Sequence, residues 1–329
     1  MRKALVIGID DYQQNPLTGC VNDAIAVKSI LEANGDGSPN FDVVALTSND
    51  VMVSAEAMQE AIETLFSGDA DMALLFFAGH GMINQQTNAG FILSQDGRRP
   101  HWGVSLSEIL NLANNAQPRI KSSVIILDSC QSGFAGEPLG LGDTSFSAIA
   151  NGVTILTACQ RDGTAGEGGG HGIFTEILLE GLRGSAADIC GRITPASVYS
   201  LIDQTLGAWD QRPIYKANVQ TFVVLRSVTP KVSLEILRRL PKYFPDTTSI
   251  FSLDPSFEPD RGEEADKLIH VPVIENNVSV YRELQLCNRH GLVVPVDQPH
   301  MWHAAVHSTG CRLTALGAHY KRLAELKRI

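Results

Sequence analysis

Val124-Ile125-Ile126-Leu127-Asp128-Ser129-Cys130-Gln131-Ser132-Gly133 begins as a buried strand and ends as a turn. Its first four residues are apolar and three of them are β-branched, as in a strand covered on both faces. The apolar run stops at Asp-Ser-Cys, and Gly133 lets the chain turn sharply. A thiol therefore stands at the C-terminal end of a buried strand, which is where open parallel α/β sheets place their active sites. Fifty residues before Cys130 stands His80, and the same pattern occurs there. The apolar run Met72-Ala73-Leu74-Leu75-Phe76-Phe77 ends in Ala78-Gly79-His80-Gly81. If the two strands are parallel neighbours, His80 and Cys130 meet at one sheet edge. A Cys/His pair is the smallest set that runs thiolate catalysis: the imidazole takes the thiol proton and later gives one to the leaving amine. The bland alternative for Cys130 is a buried structural thiol, and for His80 a satisfied loop residue.

These two segments, Phe76-Phe77-Ala78-Gly79-His80-Gly81 and Leu127-Asp128-Ser129-Cys130-Gln131-Ser132-Gly133, resemble the dyad signature of caspase-like cysteine proteases, in which the His precedes the Cys by about 50 residues. The opening segments Ala4-Leu5-Val6-Ile7-Gly8-Ile9-Asp10, Tyr12 and Leu17-Thr18-Gly19-Cys20-Val21-Asn22-Asp23-Ala24 are more similar to the metacaspase branch. The resemblance spans residues 1–226, which are read as the protease domain. It implies a caspase-hemoglobinase-like α/β fold and a cysteine endopeptidase with Cys130 as nucleophile and His80 as acid/base. The N–H groups of Gly81 and Cys130 would hold the oxyanion, and no third member that would make the dyad a triad is evident. It also implies a pocket for the side chain before the cut, lined by Cys20, Asp23 and Asp128. Asp23 can alternatively be read as a helix N-terminal acid. Two carboxylates select a cation, so cleavage is expected after Arg or Lys, with Arg favoured by its fork of donors. One departure is Ala78, where metacaspases typically carry Ser. No acidic cluster matches the metacaspase calcium site, so neither calcium nor any other cofactor is expected.

Strands at 3–9, 42–47, 72–77, 124–127, 153–157 and 219–225 alternate with helical patterns at 22–34, 54–66, 105–112, 173–182 and 195–206. That order gives a mostly parallel six-stranded sheet with helices on both faces. The glycine-rich segments Gly133–Gly142 and Gly163–Gly172 lack P-loop spacing. By resemblance, the loop at 134–147 is where processing or activating rearrangement would occur.

The sequence has 329 residues, 44% of them hydrophobic and 19% charged, with a formal net charge of −10. That balance argues against duplex DNA as a partner. No run reaches the roughly 18–20 apolar residues of a membrane helix. Met1-Arg2-Lys3 enters the first strand without a cleavable signal pattern. Six cysteines without framework spacing read as reduced thiols. A cytoplasmic location follows.

From Pro230 the pattern changes, and residues 227–329 are read as a small α+β regulatory or sensor domain. A helix near 279–288, an extended piece at 292–296, a strand at 311–313 and a helix opened by Thr314 resemble a winged-helix-like module. This region holds six of the nine histidines. Trp302 between His300 and His303, with Arg312, Lys321 and Arg322, offers a candidate site for an aromatic, phosphate-bearing ligand. Packing within the module is the other reading of Trp302. Similar modules in bacterial caspase-like proteins suggest antiphage defence, with a nucleotide second messenger or a protein as activator of a protease acting on protein substrates. Two further classes compete: a catalytically silent scaffold, and a DNA-binding regulator acting through the C-terminal module.

Overall fold

The computed structural model describes residues 1–84, 86–87, 89–99, 101–129, 149–158, 167–168, 170–207 and 212–329. They form two compact units. One comprises Met1–Ala187 and Gly191–Thr229, the other Asp188–Cys190 and Pro230–Ile329.

The first unit runs β1 (Arg2–Gly8), α1 (Cys20–Leu31), β2 (Asp42–Thr47), α2 (Ala55–Leu65), β3 (Met72–Ala78), β4 (Gly81–Asn84), β5 (Ala89–Arg98), β6 (His101–Ser105), α3 (Leu106–Asn115), β7 (Ser123–Asp128), β8 (Val153–Thr157), β9 (Glu167–Gly168), β10 (His171–Gly172), α4 (Ile173–Glu180), β11 (Arg192–Ile193), α5 (Pro195–Leu206), β12 (Ile214–Asn218) and β13 (Arg226–Ser227). Six strands make the main sheet in the order β12-β8-β7-β3-β1-β2. All its neighbours are parallel except β12, which runs antiparallel to β8 at the edge. A separate antiparallel sheet, β4-β5-β6, follows His80.

Side-chain alternation along the central strands splits the core in two. Leu74, Phe76 and Ala78 of β3 face Val27 and Leu31 of α1, Ile177 and Leu178 of α4, and Val198 and Ile202 of α5. Ala73, Leu75 and Phe77 face Met58 and Ile62 of α2 and Ile109 and Leu110 of α3. All seven residues of β3 and all six of β7 are buried, as a strand covered on both faces requires. The helix starts follow from side chains that occupy open N–H groups. Ser54 accepts from Ala57 N, Ser105 from Glu108 N, and Thr194 with Ser197 forms a capping box.

The sixth strand departs from expectation: Ile214–Asn218 makes the ladder with β8, not 219–225. Val223 and Leu225 are still buried, but their segment is held by Arg2, whose Nη2 donates to Val224 O and Leu225 O at 2.6 and 2.9 Å. Apolarity marked burial correctly and pairing wrongly.

The second unit carries α6 (Leu234–Tyr243), β14 (Ile250–Ser252), α7 (Glu275–Arg289), β15 (Val293–Pro295), α8 (Met301–Val306), β16 (Gly310–Leu313) and α9 (Ala315–Glu325). Its strands form an antiparallel sheet in the order β14-β16-β15. Leu237, Leu240, Phe244, Leu284, Cys287 and Cys311 are buried in one core of its own. Among the described residues, no helix is long and apolar enough to cross a membrane.

Candidate active site

β3 and β7 pair with Ala78 opposite Asp128, and Gly79 N donates to Asp128 O at 3.2 Å. His80 follows Ala78 by two residues, and Cys130 follows Asp128 by two. Cys130 itself lies outside the described residues, as do the 134–147 segment and Cys159.

His80 is held on three sides. Its N–H donates to Tyr12 Oη at 3.0 Å, its carbonyl accepts from Leu93 N at 2.9 Å, and its ring lies 4.6 Å from the Tyr12 ring, centroid to centroid. Tyr12 is buried and its hydroxyl donates to Leu93 O at 3.2 Å. Burial pushes the Tyr12 phenol well above its ordinary range, so the hydroxyl stays neutral. Gly79 is required for this approach, because a Cβ there would stand 2.6 Å from Tyr12 Oη.

His80 Nε2 sits 2.6 Å from the carbonyl oxygen of Asn15. A carbonyl only accepts, so Nε2 carries the proton in the neutral ring and Nδ1 is left with the lone pair. This partner escaped the sequence because it is a main-chain atom. Asn15 adopts φ +55°, a left-handed conformation that Asn tolerates better than most residues.

Asp23 and Asp128 are buried at 1% and 6% exposure, on the α1/α4 face of the sheet. Asp23 Oδ1 lies 2.7 Å from His171 Nδ1, and its Oδ2 accepts from Gly172 N at 3.1 Å. Asp128 Oδ2 accepts from Thr175 Oγ1 at 2.7 Å. Gly172 lies between the carboxylates: a Cβ there would be 2.4 Å from Asp128 Oδ2 and 3.3 Å from Asp23 Oδ2. The two acids therefore share one small space. Burial pushes the Asp23 carboxyl up, against the opposing pull of His171 and Gly172, and nearby Asp10 adds to the rise. His171 gave no signal in the sequence, since its glycine-rich surroundings have no periodicity and its partner is 148 residues away.

Cys20 and Ala78 belong to the same face of the core. Cys20 N and Val21 N donate to Asp10 Oδ1 and Oδ2 at 2.8 and 3.3 Å, so Asp10 serves the start of α1. Gly81 begins β4, paired with Ile92.

In the second unit, Trp302 Nε1 donates to Asp260 O at 2.7 Å. His303 lies edge-on to Trp302 at 4.9 Å and is flanked by His300 and His307. Lys321 is 4% exposed and its Nζ is 2.5 Å from Glu325 Oε1, so that ammonium already has a partner. Arg312 and Arg322 are exposed. Burial pushes the Cys287 and Cys311 thiols up to about 12, which leaves them un-ionised at neutral pH. Among the described residues, no group of three or more His, Cys, Asp or Glu is placed to hold a metal ion.

The architecture has known counterparts. Caspase-1 from Spodoptera frugiperda superposes with a TM-score of 0.51 at 13% identity, covering 69% of this chain and 90% of that one. A protein from Geobacter sulfurreducens superposes with a TM-score of 0.51 at 16% identity, covering 69% of this chain and 97% of that one. No curated protein matches the sequence. A family model described as the caspase domain of peptidase C14 matches residues 1–221, more than half of the chain, and the chain belongs to that family.

Proposed function

We propose that the chain is a cysteine endopeptidase that cuts proteins after Arg, and less well after Lys. The observation that carries the reading is the Ala78–Asp128 pairing, because His80 and Cys130 each follow that matched pair by two residues. In this mechanism Nδ1 of His80 takes the thiol proton of Cys130, and the thiolate adds to the scissile carbonyl carbon. The C–N bond then breaks, the leaving amine takes the proton from His80, and a thioester remains. Water, deprotonated by the same imidazole, hydrolyses the thioester, releases the acid and restores the thiol. The N–H groups of Gly81 and Cys130 would face the oxyanion.

Specificity rests on Asp23 and Asp128, with Cys20 and Ala78 on the same wall. Each carboxylate oxygen accepts more than one hydrogen bond, so Asp23 keeps capacity for a guanidinium beside His171 and Gly172. The two acids would repel an aspartate at that position.

Residues 227–329 are proposed as a regulatory domain that gates this activity in response to a signal, in antiphage defence. Support comes from its separate core, which among the described residues includes neither His80 nor the two pocket acids. A protein activator or a small nucleotide at Trp302, His300, His303, Arg312 and Arg322 would supply the signal. Lys321 would join such a site only by leaving Glu325.

The deciding experiment compares Arg, Lys and Asp peptides as substrates of the wild type and Cys130→Ala. Cleavage after Arg that is lost in the variant supports the reading. No cleavage by the wild type, with and without infected-cell extract, favours the silent scaffold. Retention on duplex DNA that weakens as salt rises favours the DNA-binding regulator.

A further inference from the structure

A cleft of about 680 Å³ opens beside His80 and contains neither Asp23 nor Asp128. Its walls include Tyr12 and Asn15 from the loop after β1, His80 after β3, and Arg98, Arg99 and Trp102 from the β5–β6 hairpin. The hairpin residues Ile92 and Val104, with Tyr12, belong to the α2/α3 side of the sheet. Asp23 and Asp128 stand on the α1/α4 side, where Gly172 and Thr175 meet them. His80 thus lies between two sites on opposite faces of one sheet edge.

Chemistry gives this division a direction. The nucleophile's strand β7, the acid/base's strand β3 and the cleft's strand β1 are consecutive across the sheet. The thiolate must reach the scissile carbon while the imidazole reaches the nitrogen that leaves. The chain beyond that nitrogen continues past His80, away from β7 and toward β1. With the chain running that way, the side chain before the cut would enter the carboxylate site and the residues after the cut would face the cleft.

The cleft's charges then set what it accepts. Asp96 Oδ1 is already engaged by Ser94 Oγ at 2.7 Å and Ala55 N at 2.9 Å, at the N-terminus of α2. Gln95 is buried and fixed at both ends, by Val53 N on its Oε1 at 2.6 Å and by its Nε2 on Asp11 O at 3.1 Å. Arg98 and Arg99 are exposed. Burial pushes the Asp96 carboxyl up, but its hydrogen bonds and the attraction of Arg98 through space hold it below the usual range, so one of the two cations exceeds the acid of the cleft. The pairing register of the hairpin shifts between Leu93 and Arg98, the kind of irregularity that re-aims side chains beside a site. Trp102, half-buried, supplies the apolar surface.

We propose that this cleft is a subsite for the residues following the cut and that Arg98 and Arg99 make it select acidic side chains there. This rests on the endopeptidase reading above. The test uses full-length protein, with its activating extract if required, and peptides with Arg before the cut and Glu, Ala or Lys at the second and third positions after it. A coumarin amide of the same Arg peptide, which has no residues after the cut, is run in parallel. The expected result is kcat/KM about tenfold higher for Glu than for Lys, shrinking in high salt. In Arg98→Glu/Arg99→Glu the order should invert, with Lys preferred. Cleavage of the coumarin amide together with equal rates for Glu, Ala and Lys peptides overturns the subsite while leaving the endopeptidase intact. A charge preference that survives the double reversal also overturns it. Failure to cleave any of these substrates overturns the endopeptidase reading, and the subsite falls with it.

Discussion

His80 Nε2 and the carbonyl oxygen of Asn15 are 2.6 Å apart, and this contact places the ring proton on Nε2 and leaves the lone pair on Nδ1, the nitrogen proposed as the base. Because the partner is main chain, its position depends on the backbone angle of Asn15, φ +55°. Asn15→Gly keeps that angle accessible and should retain most activity. Asn15→Val penalises it by about 1–2 kcal/mol and should displace the carbonyl. The expected loss is about tenfold to a hundredfold in kcat with KM little changed, since positioning and not binding is damaged. Equal kcat for the Gly and Val variants would remove Asn15 from the mechanism.

Cys130→Ala and His80→Ala should each abolish peptide cleavage while leaving far-UV circular dichroism unchanged. The two residues act as one unit, so the double variant should be hardly worse than either single. Near-normal turnover by either single variant would overturn the dyad.

The strands and the dyad candidates were legible for one physical reason. Strands buried on both faces read as unbroken apolar runs, and both runs stop where the site begins, at Ala78 and Asp128. The helix start at Thr314 was legible because its side-chain oxygen acts locally, accepting from Gly317 N. What stayed hidden was long-range or made by main-chain atoms. Asn15 contributes a carbonyl, His171 finds Asp23 across 148 residues, and Tyr12 serves His80 from 68 residues away. Position 219–225 misled because apolar spacing reports burial and says nothing about which segment donates to the ladder. The partner of Lys321 was not legible, because a long side chain can be covered along its stem while its head meets one acid, here Glu325.

The carboxylate site makes a demand on pH. Burial raises the Asp23 carboxyl above the ordinary carboxylate range, so its neutral form persists to higher pH than in an exposed aspartate. As pH falls through that raised value, the pocket loses charge. The ratio of kcat/KM for Arg over its neutral isostere citrulline cancels the titration of the dyad. That ratio should fall on the acid side, starting above the pH of an exposed aspartate. Asp23→Ala should cost about 2–5 kcal/mol on the Arg substrate and flatten the ratio. A ratio independent of pH in the wild type, or preference for Asp before the cut, would sink the pocket assignment.

Control by the second unit can be tested without removing it. Leu284 of α7 is fully buried in that unit's own core. Leu284→Ala leaves a cavity and should destabilise the unit by about 2–5 kcal/mol. Among the described residues, His80, Cys20, Asp23, Ala78 and Asp128 are all outside that core. If residues 230–329 hold the enzyme in an inactive state, the signal must favour the active state by roughly 10⁴-fold for near-complete switching. Loosening the unit should weaken the restraint or the response, giving either high basal cleavage of an Arg peptide or an enzyme that no longer responds to infected-cell extract. Thermal unfolding followed by tryptophan fluorescence, which includes Trp302 of the second unit, would show that the substitution had acted where intended. Unchanged basal activity and unchanged response in a variant whose second unit melts at lower temperature would remove that unit from the control of catalysis.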